Sequence, residues 1–185
     1  MSVDIHAYIK DFNNATREGC EQYLLQQFNI KAQVHPESDF ETDSGFLPFK
    51  VEFPAIDDLK GKEFISGFEI FTGEYDYQSE LQEINKSCSK IAKKKDFQEF
   101  VVNEEVDNLL KTCNYDVTLV THSCCCEAIM ASAFASYLAE TCNGVICDPQ
   151  SGKYYHKNLK QETFGWIKQL MDGLKLDELH PFEGF

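Results

Sequence analysis

The stretch that decides the fold is residues 116–155, DVTLVTHSCCCEAIMASAFASYLAETCNGVICDPQSGKYY. Its β-branched opening predicts a strand over 116–121. The alanine-rich run that follows predicts a helix over roughly 124–141, with so few polar positions that we expect it to be buried against a sheet. A second apolar run predicts a short inner strand at 145–147, and the turn-forming residues 148–152 close it. We therefore expect a strand, a buried helix and a return strand at the centre of the domain.

Three segments outside this stretch have the three- and four-residue apolar spacing of helices. They predict a helix over 4–28 that is weakened at Gly19, and helices near 97–113 and 159–174. Residues 79–95 are polar, and we predict that they are helical in part. The helices should pack against the sheet.

Alternating side chains predict two strands earlier in the chain. Residues 49–53 alternate apolar and polar side chains until Pro54, and residues 64–71 form the second strand. The turn-like segment between them would join the two strands as a hairpin with a long loop. We predict one α+β domain over residues 1–185, with a central mixed or antiparallel sheet of about four to five strands packed by N-terminal, middle and C-terminal helices.

The charge of the chain limits its partners. The 31 acidic and 17 basic residues give a net charge of −14, and residues 1–83 carry 17 of the acids against 6 bases. Such a field repels phosphate backbones, so we expect no binding of nucleic acid. The acidic half can steer a basic protein partner, or it can serve solubility alone.

The hydropathy pattern argues against a membrane protein. No apolar run approaches the roughly 18–20 residues that span a bilayer. The first residues, MSVDIHAYIKDF, lack the basic and then apolar regions of a secretory signal. We therefore expect a soluble, cytoplasmic protein with no membrane partner.

The eight cysteines favour free thiols over a disulfide framework or a metal site. No two of them have CxxC spacing. The triplet Cys124, Cys125 and Cys126 cannot point one way on a helix or a strand, and with His122 it supplies only part of a tetrahedral zinc site. We expect thiols buried as small apolar residues, with no cofactor and no metal. Hard-cation binding at Asp76 or by the carboxylates of residues 37–43 stays an open alternative.

The segment DVTLVTHSCCC, residues 116–126, resembles the nucleophile turn of the α/β-hydrolases, whose motif is G-x-S-x-G. In that register Ser123 is the nucleophile, and Thr121 and Cys125 stand where the family has glycine. Those glycines relieve a strained and crowded turn, so two residues with Cβ atoms depart from the family's pattern. The resemblance implies a small serine hydrolase as the alternative to a binding protein.

The hydrolase alternative needs partners that follow the nucleophile in the chain. The resemblance implies a triad of Ser123 with Asp148 and either His156 or His180. A second version is a thiol enzyme centred on Cys124, whose pKa a helix N-terminus can lower. The interpretation that we favour is structural, with the hydroxyl of Ser123 capping the following helix.

Residues 133–155, AFASYLAETCNGVICDPQSGKYY, resemble a pattern in small bacterial proteins of uncharacterised or immunity-type function. In those proteins an alanine-rich helix leads to a strand and a DPq.g turn. The matching residues are Leu138, Ala139, Glu140, Gly144, Val145, Asp148, Pro149, Gln150 and Gly152. The resemblance implies a helix-to-strand joint in a non-enzymatic α+β domain, and it carries over no catalytic residue. We expect Gly144 to cap the end of the helix.

We predict that the chain is a non-enzymatic, acidic domain that binds a protein partner. The most concrete version is an immunity- or antitoxin-type inhibitor whose acidic surface covers a basic partner. Two tyrosines would add hot-spot contacts to the carboxylates. The predicted partner-binding residues are Glu37, Asp39, Glu41, Asp43, Asp57, Asp58, Glu74, Tyr75, Asp76 and Tyr77.

Overall fold

The computed structural model describes residues 3–91, 98–122, 124–156 and 159–185. The strands in these ranges are β1 Val3–Ile9, β2 Lys31–Val34, β3 Gly45–Glu52, β4 Phe64–Glu74, β5 Tyr115–Thr121, β6 Val145–Asp148, β7 Lys153–Tyr155 and β8 His180–Pro181. The helices are α1 Arg17–Phe28, α2 Tyr77–Ile91, α3 Glu104–Leu110, α4 Cys125–Thr141 and α5 Leu159–Asp172, and a 3-10 turn covers Leu176–Glu178.

All of these strands belong to one sheet, in the order β2-β3-β4-β5-β1-β6-β7, with β8 paired to β4. Each pairing within the described ranges is antiparallel. The α+β class is therefore confirmed. The prediction of four to five strands is wrong, because the sheet has eight.

The N-terminal segment folds differently from the predicted helix over 4–28. Residues 3–9 form β1, which lies inside the sheet between β5 and β6, and the helix α1 begins only at Arg17. In β1 the buried side chains of Ile5, Ala7 and Ile9 share one face, which is the two-residue period of a strand. Ile5 and Ile9 are also four residues apart, so helical spacing and alternation overlap over so short a run.

The stretch 116–155 folds largely as predicted, because β5, α4 and β6 match the expected strand, helix and return strand. The end of the helix differs. Asn143, not Gly144, takes the left-handed conformation, with φ at 52°. Gly144 is required for a close approach, since a Cβ atom there would lie 2.4 Å from the carbonyl oxygen of Tyr8 on β1.

The other elements agree with the sequence in part. β3 and β4 form the predicted hairpin, and α2 and α5 agree with the predicted helices. α3 has only seven residues, far fewer than the helix predicted near 97–113, although Phe97 itself lies outside the described ranges. β2, β7 and β8 were not predicted, because strands of four, three and two residues are too short to show alternation.

One face of the sheet, which we name the front face, carries the main core. Helices α1, α4 and α5 pack on it, and twelve of the seventeen residues of α4 are buried. The ring of Phe134 on α4 lies 4.9–6.3 Å from the rings of Phe40, Phe49 and Phe68. The small residues of α4 allow this helix to lie close to the strands, as the sequence indicates.

The opposite face, which we name the back face, is covered only in part. α2 and α3 contribute to a second, smaller core with Tyr8 of β1 and Val145 of β6. The buried carboxylate of Asp107 organises this cover. It accepts hydrogen bonds from the Tyr77 hydroxyl and from the backbone N–H groups of residues 101, 102 and 103, the last three at 2.7, 2.9 and 3.2 Å. Burial opposes the charge, but these hydrogen bonds outweigh it and lower the pKa of Asp107.

Candidate functional site on the uncovered part of the sheet

The open face is the part of the back face that α2 and α3 leave uncovered, and it consists of Phe46, Glu69, Phe71, Thr118 and Val120. Glu69 stands opposite Phe46 on one side and Val120 on the other, and Phe71 stands opposite Thr118. The side chain of Phe46 is 58% exposed and that of Phe71 is 42% exposed. The two residues occupy diagonal positions on neighbouring strands, and the ring of Phe46 extends toward Gly67, on the side of Glu69 away from Phe71. Exposed aromatic side chains on one uncovered face of a sheet are typical of a binding surface.

A glycine sets the position of Phe46. A Cβ atom on Gly67 of β4 would lie 2.7 Å from Cζ of Phe46 and 2.2 Å from the carbonyl oxygen of Leu47. The ring therefore rests on the backbone of β4 instead of extending freely into solvent. A ring that is already positioned loses less conformational freedom when a partner binds it.

A histidine and a carboxylate border the open face on β1 and β5. Nδ1 of His6 donates to the two carboxylate oxygens of Asp116, at 2.9 and 3.1 Å, and lies 3.2 Å from Oγ1 of Thr118. The hydrogen bond to Asp116 raises the pKa of His6, although burial opposes its charge. Sequence reasoning missed this pair, because a helix over 4–28 gives His6 no strand partner. Alternation along β1 was the signal that would have found it.

The two tyrosines that the sequence proposed lie under the cover of the back face. Tyr77 is 6% exposed and donates to Asp107, and burial together with that bond raises its pKa to about 12. Tyr75 is half-buried, donates to Glu80, and has its ring 4.6 Å from the ring of Tyr8. Tyr77 is therefore an interior residue, and Tyr75 offers only part of its ring to solvent.

Several of the proposed acids do come together at one end of the sheet. Glu41 accepts a hydrogen bond from the hydroxyl of Tyr115, at 3.1 Å. This bond and the nearby charges of Glu41, Glu74 and Asp11 raise the pKa of Tyr115. The sheet register explains the proximity, because Glu74 pairs directly with Tyr115. We name Asp11, Glu41 and Glu74 the acidic end. It lies on the front side of the sheet, since Glu74 follows Phe71 on β4 by three residues and Tyr115 packs against the front core.

The rest of the proposed acidic loop is organised by its own turn. The Asp43 carboxylate accepts from the backbone N–H of Asp39 at 2.9 Å, and the Asp39 carboxylate accepts from that of Glu41 at 3.0 Å. Glu37 is exposed in the same loop, and its backbone N–H donates to His35 at 3.2 Å. This loop leads directly into β3.

The remaining proposed acids lie apart from that loop. Asp57 and Asp58 are exposed in the loop that joins β3 to β4, at the far end of the hairpin from Glu74. Asp76 accepts from the Ser79 hydroxyl at 2.8 Å and from the backbone N–H of Gln78 at 2.9 Å, and these bonds lower its pKa. Asp76 therefore serves the start of α2.

The start of α4 differs from a hydrolase nucleophile turn. Ser123, the proposed nucleophile and helix cap, lies outside the described residues. Cys124 occupies the N-cap position without a side-chain capping bond, and its thiol donates to the carbonyl oxygen of Glu178 at 3.6 Å. β5 lies between two antiparallel neighbours, whereas the α/β-hydrolase turn belongs to a sheet of parallel strands with intervening helices.

The proposed acid and histidines have other neighbours. Nε2 of His156, after β7, lies 3.1 Å from Oε1 of Glu105 on α3. His180 is exposed on β8, beside β4. The Asp148 carboxylate accepts from the hydroxyl of Ser151 at 2.7 Å, within the turn between β6 and β7. Among the described residues, no hydrogen bond or ion pair joins any of these three to Cys124.

The cysteines whose side chains are described are free thiols, and most are buried. Burial raises the pKa of Cys113 and Cys126 to about 12, and that of Cys142 and Cys147 to about 11. Such thiols carry no thiolate at neutral pH, so they pack as small apolar groups.

The described part of the chain contains no group of three or more His, Cys, Asp or Glu side chains that could hold a metal ion. It also contains no helix that is long and apolar enough to cross a membrane.

Comparison of the chain with protein-family models, curated proteins and solved structures finds no match. The function is therefore argued from the geometry of the open face and its surroundings.

Proposed function

We propose that the chain is a protein-binding domain and that the open face binds a basic protein partner. The observation that carries the proposal is the exposure of Phe46 and Phe71 on the back face of β3 and β4, where no helix of the described residues packs on them. Their exposed area adds nothing to the core, and aromatic residues are the usual anchors of protein interfaces.

The charges around the two rings support a basic partner. Glu69 lies between Phe46 and Val120 on the open face, and its carboxylate is 3.6 Å from Nε2 of His122. Asp116 lies at the border of the same face, and the chain as a whole has a net charge of −14. An apolar surface with carboxylates in it and at its border favours a partner that has an apolar patch among lysines and arginines.

The finer version of the proposal is an immunity- or antitoxin-type inhibitor. Such an inhibitor covers a basic functional surface of its target, for which an acidic and aromatic face is well suited. In this version the complex blocks an activity of the partner, and the chain needs no catalytic residue of its own.

The first experiment isolates the partner and measures its affinity. The chain is immobilised and used to capture proteins from an extract of the cells that make it, and the captured protein is then purified. We expect the double variant Phe46→Ser/Phe71→Ser to lower its affinity by tenfold or more, because each ring would be a buried anchor in the complex. Leu25→Ser is the matched control, since Leu25 is 45% exposed on α1 and far from the open face.

A second measurement tests the electrostatic part of the proposal, which is the attraction of a basic partner by Glu69. Glu69→Lys should slow association at low salt, and the difference from the wild-type chain should shrink at high salt as charges are screened. Glu18→Lys, an exposed acid in the first turn of α1, is the control for the change in net charge. A partner that binds the double phenylalanine variant as tightly as the wild-type chain would contradict the proposal, as would binding that ignores salt and Glu69→Lys.

Activity-based labelling separates this proposal from the hydrolase alternative. A fluorophosphonate probe reports an activated Ser123, and iodoacetamide reports an activated Cys124. We expect no stoichiometric labelling that depends on the folded state. Such labelling at Ser123 would replace the binding proposal with a hydrolase.

A further inference from the structure

We infer that the cavity between α4, α5 and the β6–β7 hairpin binds a small aromatic monoanion, such as an aromatic carboxylate. The cavity holds about 400 Å³, within the range of roughly 300–1,000 Å³ that small-molecule sites occupy. It lies on the front side of the sheet, so the inference does not depend on partner binding by the open face.

The floor of the cavity is apolar. Ile5 of β1, Ala135 of α4 and Ile146 of β6 line it, and all three are buried. Ser132 also lines it, but its hydroxyl donates to the carbonyl oxygen of Ala128 one turn earlier in α4. The small side chains of Ser132 and Ala135 leave the space that a larger residue would fill. A ligand gains affinity here by removing its own apolar surface from water.

Two aromatic residues form walls of the cavity. Trp166 of α5 is 41% exposed, and Tyr155 of β7 is half-buried. A tryptophan exposed to this extent adds little to folding, but it offers a large flat surface to a ligand. Flat aromatic molecules make offset or edge-to-face contacts with such rings.

The polar groups at the mouth of the cavity determine which ligand charge the cavity favours. The Asp148 carboxylate is occupied by the turn, since it accepts from the backbone N–H of Gln150 at 3.0 Å and from the Ser151 hydroxyl at 2.7 Å. Lys153 is the cation among the lining residues, and it stands opposite Asp148 in the β6–β7 register but is in no ion pair within the described residues. Because the turn holds the Asp148 carboxylate away from it, the ammonium group can pair with a ligand carboxylate, and one cation matches one negative charge.

A larger cleft elsewhere lacks these features. It holds about 660 Å³ between α1 and the β2–β3 strands, and charged side chains form much of its lining. Four of those charges are already paired, Lys31 with Glu52 at 2.9 Å and Lys50 with Glu63 at 3.2 Å. The smaller cavity, with an apolar floor and one free cation among its lining residues, is the better built for a ligand.

The test uses Trp166, the only tryptophan of the chain, as the reporter. Naphthalene-2-carboxylate is titrated into the full ¹⁵N-labelled chain, and the single indole N–H cross-peak is followed by NMR. We expect a saturable shift of this peak. Lys153→Gln should weaken binding about threefold to fivefold, as for a partly exposed ion pair. The neutral naphthalene-2-carboxamide should bind the wild-type chain and Lys153→Gln equally.

Two variants fill the cavity from different sides. Ala135→Leu adds volume at the floor, and Thr163→Phe adds it from the half-buried wall on α5, where folding tolerates a larger residue better. Both variants should abolish the shift of the indole peak. If Ala135→Leu does not fold, Thr163→Phe by itself tests whether the ligand occupies the cavity. Phe46→Ser/Phe71→Ser should leave the shift unchanged.

Three results would overturn the inference. They are an indole peak that does not move at millimolar carboxylate, equal shifts in the wild-type chain and Thr163→Phe, and equal affinity of the wild-type chain for the carboxylate and the carboxamide. The last result would remove the monoanion as the ligand class.

Discussion

The two faces of the sheet use the same strands but are stabilised in different ways. On the front face α4 buries twelve of its seventeen residues and supplies the centre of the core. On the back face α3 buries three of its seven residues, and one of those three is the carboxylate of Asp107. Apolar area therefore stabilises the front, whereas the cover of the back combines a smaller apolar core with a polar network around Asp107.

The difference between the two faces indicates which large side chains are not fully explained by packing and are therefore candidates for a functional role. Phe134 on the front face is fully buried among other rings, so its size is explained by packing. Phe46 and Phe71 on the open face are 58% and 42% exposed, so packing explains their size only in part. A partner that covers them is the reason that we propose for their exposure.

The most direct test of this contrast replaces one phenylalanine on each face by alanine. It should also give the largest change in unfolding free energy among these predictions. Phe134→Ala should cost about 3–5 kcal/mol of unfolding free energy, because it removes a buried ring and leaves a cavity. Phe71→Ala should cost less than about 1 kcal/mol, as expected for a surface position. Urea unfolding at 25 °C measures both values. Similar losses from the two changes would show that the open face is part of the core.

The cover of the back face should depend on a single carboxylate. Asp107→Asn should cost about 2–3 kcal/mol, because the amide has one acceptor oxygen and turns its NH2 group toward N–H donors. The pKa of Asp107 is lowered in the folded chain, so its stabilisation is present above the unfolded-state pKa of about 3.9 and is lost as the pH falls through the folded value.

The difference between the wild-type chain and Asp107→Asn should therefore shrink in acid, as followed by unfolding at pH 7 and at pH 3. Glu104→Gln, at an exposed position in the same helix turn, is the control and should cost less than about 0.5 kcal/mol. A loss in Asp107→Asn no greater than that of the control would mean that apolar contacts hold the cover without the network.

The smallest effect concerns the pair at the border of the open face. Asp116 raises the pKa of His6 in the folded chain, so the pair stabilises fully below the unfolded-state pKa of about 6.5. This contribution is lost as the pH rises through the folded value. The stability advantage of the wild-type chain over His6→Gln should therefore fall between pH 5.5 and pH 9, by on the order of 1 kcal/mol or less. A stability advantage that grows with pH would contradict this prediction.

Most of the front face could be predicted from the sequence. The alanine-rich helix near 124–141 and the strand over 116–121 have patterns long enough to identify, and the buried helix became α4. The open face could not be predicted, although Phe46 and Phe71 lie in or beside the predicted strands. Alternation indicates which side chains share a face, but it does not indicate which face the helices leave uncovered.

The proposed binding residues show the same division between what local sequence indicates and what the tertiary structure decides. Composition drew attention to acids, but the hydrogen bond of Glu41 and the strand register of Glu74 bring these two to one end around Tyr115. Tyr77 was chosen as an exposed aromatic and is buried, because Asp107, thirty residues later, accepts its hydroxyl. Contacts between residues so far apart in the chain have no local signal.

The sequence by itself determined the α+β class, the buried helix with its two flanking strands, and the acidic character of the chain. These are properties of local pattern and of composition, and they do not depend on how the elements meet. Only the tertiary structure decided that β1 is an inner strand, that two phenylalanines stay exposed, and that a cavity opens beside Trp166. The physical reason is that exposure and enclosure depend on which surfaces pack together, and the pairing of distant segments sets that.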